Sequence, residues 1–454
     1  METSTFNRES SLFELHGAAL DGVPDHVKLH PPLQAGETLS PGEVTRDGRW
    51  VHFTISGTNF FAPSDGQAPP VALLPTGANF GGTTLDSQRA LFFTAEGLFS
   101  MPLDGSAGPV RLSEPLASGE RIHFPTSQGG SQILYLVRPP NGASPTFLWS
   151  APVDGSRPAA PLASIQGNLG LSRPPLISRD GAQAVFFDDR DADGNIELYG
   201  VPTDGGSAAV RLHGAPVPGG GVESCRIAAN SLLVVFRADL ETDGEFELFR
   251  TPIDGSLPAA KIPLPGTGVN IPRYELSPDS TRLVFLANLD TATSLELYSM
   301  PIDGSQLPTK LNAALAPGDD VSLNDAFTIS ADSSGVLFVA RELTTGAEHL
   351  FRAPLAGGSP PLQLSRDLQP GGFFVDYRVS ADGRWAAYRN QNSQLFVVPT
   401  DGSAAAQRVH EVGQVTTYEL SPDSRRVAFL GDLERPGVFE LFQFRLTRPL
   451  QRTR

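Results

Sequence analysis

The sequence predicts an all-β protein, a closed β-propeller of four-stranded antiparallel blades, and three observations predict it. One nine-residue phrase returns at intervals of about 50 residues. A second phrase, with the chemistry of a tight hairpin, precedes each copy. No amphipathic pattern of period 3.6 persists beyond a turn or two, so almost no helix is expected. The chain has 454 residues, a length that suggests several domains, but repeat architectures break that relation and are sought first.

The first phrase reads Leu-aromatic-x-x-Pro-x-Asp-Gly. It occurs as LFSMPLDGS (98–106), LWSAPVDGS (148–156), LYGVPTDGG (198–206), LFRTPIDGS (248–256), LYSMPIDGS (297–305) and LFVVPTDGS (395–403), with worn copies at 350–358 and 60–66. Its Asp residues 104, 154, 204, 254 and 303 lie 50, 50, 50 and 49 residues apart. Pro fixes φ at the end of a strand and Asp-Gly turns the chain into the next one, which places this Pro near a blade's outer edge. These Asp residues are structural, since equivalents spread over many repeats cannot converge on one substrate.

The second phrase is clearest in LSPDSTRLVFLA (276–287), LSPDSRRVAFLG (420–431) and VSADGRWAAYRN (379–390). A short strand ends at Ser-x-Asp-Gly/Ser, whose side chains favour a tight turn, and an alternating apolar strand follows. Each unit then supplies a hairpin, a loop, a third strand ending in Pro-x-Asp-Gly and a short fourth strand such as PVRL (109–112). Four strands in 40 to 50 residues make one propeller blade.

Nine hairpin phrases start near residues 45, 85, 127, 179, 229, 278, 331, 381 and 422, so nine blades are expected, with eight as the fallback. Residues 1–454 form one domain in this reading: a half-unit at 1–35, repeats over 36–446 and a tail at 447–454. The half-unit is expected to supply the strand that the last blade lacks, closing the ring and removing open sheet edges.

These phrases resemble TolB-type and PD40 repeats, a WD40-like class that also forms the propellers of prolyl-oligopeptidase-type peptidases. The resemblance covers nearly the whole chain, but the Gly-His and Trp-Asp pairs of true WD40 repeats do not recur. It implies a bacterial propeller, periplasmic or at the cell surface, that works by binding proteins. The sequence begins METSTFNRESSLFELHG, without the regions of a signal peptide.

Composition narrows the function. Fifty acidic against 34 basic residues give a net charge of −16, which argues against nucleic acid, since phosphate binding needs clustered Lys and Arg. No stretch approaches the ~18 apolar residues of a membrane span. Cys225 is the single cysteine, which excludes an intramolecular disulfide and a thiolate cluster and reads as a buried, inert thiol. His26 and His30 share a strand face but stand too far apart to share one metal. Neither a Gly-x-Ser-x-Gly elbow nor a His-Glu-x-x-His helix nor a phosphate-binding Gly-Lys loop occurs.

The most specific local signal is Asp189, Asp191, Asp193, Gly194 and Glu197, whose alternate side chains could gather oxygens around a hard cation. The loop resembles the calcium loops of integrin-type propellers, with Glu197 at the last ligand position. The next unit repeats it as Asp239, Glu241, Asp243, Gly244 and Glu247. Calcium is therefore the candidate cofactor, against a reading of plain soluble turns. Arg273, Asp376 and Glu419 are the candidates for chemistry in a central channel.

The expectation is a monomeric, non-enzymatic scaffold that binds another protein or a cell-envelope component. The alternative is a channel-centred lyase or hydrolase acting on sugars or peptides.

Overall fold

The computed structural model describes residues 2–6, 13–18 and 26–446, apart from residues 35, 74–77, 127–130, 167–171, 191–193, 267, 316–319, 322–326, 342–345, 366–371 and 439. Among the described residues the chain is an all-β propeller of nine blades with nearly no helix, a 3₁₀ turn at Pro140–Gly142 being the named exception. Two compact units divide it: residues 1–244 with 249–260, and residues 245–248 with 261–454. The first holds an N-terminal sheet and blades 1 to 5; the second holds blades 6 to 9.

Blades 1 to 8 are four-stranded antiparallel sheets with the strands in chain order. They span Leu39–Leu73, Asn79–Arg111, Arg121–Ile165, Leu176–Arg211, Val222–Lys261, Arg273–Lys310, Thr328–Gln363 and Phe374–Arg408. Blade 9, Val415–Arg445, shows three strands among the described residues. The N-terminal strands Glu2–Phe6, Phe13–Ala18 and His26–Lys28 pair with one another as a sheet of their own, in place of the sheet expected to be shared with blade 9. Leu29, just after them, packs with Val51 and Phe53 of blade 1.

The aromatic residue of the first phrase has a pairing role. It stands in register with an aromatic residue of the second strand and stacks on it, as in Phe186–Tyr199, Phe285–Tyr298 and Tyr388–Phe396, with ring centroids 5.6, 5.8 and 5.1 Å apart. Such a pair recurs once per blade, from Phe53–Phe60 in blade 1 to Phe429–Phe442 in blade 9. Each buried ring contributes about 1.5–3 kcal/mol from area, and the stacking about 0.5–1.5 kcal/mol more.

The second strands are buried on both faces, as in Arg282–Ala287 and Trp385–Asn390. Blades 4 and 5 share one such core: Val185, Phe187 and Leu198 pack against Val222, Cys225 and Phe236. The first strands keep one face in solvent; in Val222–Ile227 and Phe374–Val379 the second and fifth residues are exposed.

The hairpin turn ties blades together. In blade 6, Ser277 Oγ donates to Asp279 at 2.5 Å and accepts the Arg282 N–H at 2.9 Å, closing the turn. The next position is left-handed, occupied by Gly181 and Gly383 in some blades and by Ser in others, such as Ser231, Ser333 and Ser424. Those serines have a reason to be there. Ser231 Oγ accepts the Asp180 N–H from the preceding blade at 3.1 Å; Ser333 and Ser424 accept from Asp279 and Asp382, each at 3.0 Å. A left-handed Ser costs about 1–2 kcal/mol, and a bond worth about 0.5–1.5 kcal/mol between blades offsets much of it.

Candidate functional site

The loops between second and third strands begin with a carboxylate or amide that fastens two backbones. Asp239 accepts the Gly221 N–H at 2.7 Å and the Gly244 N–H at 2.9 Å. Asp432 does the same with Gln414 at 2.6 Å and Gly437 at 2.9 Å, which hold its carboxyl below the usual range. Asp189 accepts the Gly194 N–H at 3.2 Å, while its neighbour Asp188 takes the Gln166 N–H at 2.7 Å.

The glutamates that end these motifs face away from that task. Glu197 is buried, 3.2 Å from the Arg211 guanidinium on the fourth strand, and accepts the Tyr199 hydroxyl at 3.1 Å. Burial, then Glu197, pushes the Tyr199 phenol up to about 12. Glu247 lies 2.5 Å from Lys261, and Glu296 pairs with Lys310 in the same place in blade 6. The recurring glutamate is thus half of a cross-strand ion pair. Asp191 and Asp193 lie outside the described residues; Glu241 and Asp243 are exposed. No group of three or more His, Cys, Asp or Glu capable of holding a metal occurs among the described residues.

For Glu197 and Glu247 to become last ligands, each would have to leave its basic partner. Melting in millimolar calcium tests this: no shift is the expected result, whereas an upward shift lost in Asp191→Ala would establish a calcium site.

The first-strand candidates also have structural partners. Asp376 receives the Arg389 guanidinium at 2.9 Å, and Arg389 donates onward to the Val415 carbonyl of blade 9 at 3.1 Å. Glu419 stands 3.9 Å from Arg378. Arg273 lies over the Phe327 ring at 5.6 Å and 4.0 Å from Glu275, apart from that group. In blades 4 and 5, Arg173 donates to the Val222 and Glu223 carbonyls at 2.5 and 2.8 Å, and Arg237 pairs with Glu223. Arg389, on the second strand of blade 8, and Arg173, just before the first strand of blade 4, thus latch successive blades. Cys225 is buried and burial pushes its thiol up to about 12, leaving no thiolate for chemistry. His30 is buried with Nδ1 2.8 Å from the Pro31 carbonyl, and the His26 side chain is outside the described residues.

Sequence reasoning missed what lies at the edge carrying the hairpin and Pro-x-Asp-Gly turns. Between blades 1 and 2 this edge holds a cleft of about 590 Å³, lined by Arg49, Trp50, Asp65, Arg89 and Asp104. In blade 5 it carries Leu232 and Leu257, 67% and 64% exposed, and the equivalent loop of blade 6 carries Leu307, 71% exposed. The signal was available as leucine inside polar turn sequences (NSLL, DGSLP, DGSQLP).

No family model matches the sequence, and no curated protein does. Among solved structures, the tricorn protease matches at 15% identity and a TM-score of 0.42, over 90% of this chain and 42% of its own. An oligogalacturonate lyase in complex with manganese matches at 12% identity and 0.40, over 78% and 96%. A putative TolB from Agrobacterium tumefaciens matches at 15% identity and 0.30, over 53% and 83%. The chain therefore spans less than half the length of the tricorn protease. These likenesses show the fold alone. They also correct one expectation: a protease and a lyase stand among the structures this chain is similar to, so a propeller without familiar nucleophile motifs is no ground for excluding catalysis. No described helix is long and apolar enough to cross a membrane.

Proposed function

We propose that the chain is a binding propeller whose turn-bearing edge docks a protein partner. The observation that carries this reading is the exposure of Leu232 and Leu257 of blade 5 on turns that only need polar residues to form. An exposed leucine at a loop tip gains nothing in the isolated chain, but covering it on binding contributes about 1.5–3 kcal/mol. The cleft lined by Arg49, Trp50 and Arg89 adds an aromatic side chain and two arginines at the same edge of blades 1 and 2, residue types enriched where proteins meet. The net charge of −16 favours a partner with a basic rim.

Affinity capture with the purified chain, against Leu232→Glu and Leu257→Glu variants of unchanged melting temperature, tests the proposal. The expected result is a protein retained by the wild type and depleted about tenfold or more by the variants. The same proteins in the same amounts on all three would overturn it.

A further inference from the structure

Blade 3 departs from an acidic position that three other blades carry. Three residues past the second-strand aromatic, blades 4, 5 and 9 place Asp189, Asp239 and Asp432. Blade 3 places Arg138 there, and the strand register sets Arg138 directly opposite Arg121. Like charges facing each other across a strand pair are destabilising. In blade 7 the equivalent Arg341 has Glu348 of the third strand opposite it, at 3.9 Å.

The two arginines open onto a cleft of about 360 Å³ that His123, Asn141 and Gly142 complete, with no acidic residue in its lining. In a chain of net charge −16 this is a local reversal of sign. The wall holds one strained residue, Asn141, left-handed at φ 61°, beside Gly142, which adopts its φ of 72° freely. A Cβ on Gly142 would fall 2.5 Å from Arg138 Nη2, so the glycine is what lets the guanidinium lie against the turn. A left-handed residue other than glycine costs about 1–3 kcal/mol, and such strain gathers at ligand sites. The His123 ring is held below its ordinary pKa by burial and then by Arg138 and Arg121, so near neutral pH it is an uncharged hydrogen-bonding group within the field of both guanidiniums.

We propose that this cleft binds a small ligand bearing an oxyanion, a carboxylate or phosphate group seated between Arg121 and Arg138 with His123 and Asn141 beside it. Guanidinium forks match the paired oxygens of both groups, and the volume suits a ligand of a few to about a dozen heavy atoms. This inference is independent of protein docking at the turn-bearing edge, because the cleft lies on the loop between second and third strands, at the other end of the blade.

Titration calorimetry at low ionic strength, with inorganic phosphate, citrate and neutral glycerol as probes, tests it. The expected result is binding of phosphate or citrate at about 1 mM or tighter, no binding of glycerol, and a loss of about tenfold or more in Arg121→Gln. Arg121 is exposed, so this variant keeps the fold, and Arg138→Gln serves as the second, more buried test. Citrate alone assigns a carboxylate ligand, phosphate alone a phosphate ester, and either supports the site. Absence of binding by both anions, or affinity unchanged in Arg121→Gln, would overturn it.

Discussion

Replacing His213 with asparagine is expected to remove about 3 kcal/mol of acid sensitivity from the folded chain between pH 6.5 and 4. His213 is buried at the end of the fourth strand of blade 4, where Nε2 accepts the Leu198 N–H at 3.1 Å and Nδ1 lies 2.6 Å from the Gly214 carbonyl. One nitrogen accepting and the other donating requires the neutral ring. Burial pushes its pKa down to about 4, with Arg211 adding to the effect against the Gly214 hydrogen bond.

The unfolded chain, with an ordinary histidine near 6.5, binds more protons than the folded one between these values. The His213 contribution is therefore fully present above pH 6.5 and lost progressively as pH falls through about 4. Blade 6 provides the replacement. Asn312 occupies the same place, accepting the Leu297 N–H and donating to the Ala313 carbonyl, both at 2.8 Å, and it does not titrate. Urea denaturation of wild type and His213→Asn at pH 7 and pH 4.5 measures the difference. Equal losses of stability on acidification would contradict the assignment. His410, which caps Leu395 in blade 8 and is also held low by burial, keeps a smaller acid response in the variant.

Gly255→Ala is expected to destabilise by about 3 kcal/mol, the sum of left-handed strain and a steric conflict between blades. Gly255 is the glycine of Pro-x-Asp-Gly in blade 5, at φ +67°, and a Cβ there would lie 2.8 Å from a Val210 methyl on the fourth strand of blade 4. The same contact recurs between Gly105 and Val71, at 2.9 Å and φ +68°. Gly244 is the control: its φ is +80°, but nothing stands within 4 Å of the Cβ position, so Gly244→Ala carries strain alone, about 1–2 kcal/mol. Chemical denaturation of both variants separates the two effects. Equal costs would mean that the turn of one blade does not rest on the outer strand of the one before.

The repeats were legible because each is written in residues with strong local preferences. The Pro-x-Asp-Gly phrase spells its own turn, in which Asp254 accepts the Ser256 N–H at 2.9 Å, and the aromatic pairs mark the second and third strands of every blade. Interactions between elements were hidden where several residue types serve equally. The N–H that opens the third strand is capped by Ser113, His213, Asn312, Ser365 and His410 in different blades, so no phrase announces the cap. The ion pair of Glu197 was hidden because its partner, Arg211, lies on the far side of a turn. Arg121 and Arg138 face each other only through strand register, across 17 residues of unremarked sequence. The N-terminal strands look like a missing fourth strand, yet they pair with one another as a sheet.

The claim that the turn-bearing edge docks a protein is tested most directly by placing a photo-crosslinking amino acid at either end of one blade. Leu257 lies on that edge of blade 5, and Glu241 lies on the exposed loop at the opposite end. The account predicts a covalent adduct with one protein from position 257 and none from position 241. Adducts from position 241 alone, or equal yields from both, would contradict it.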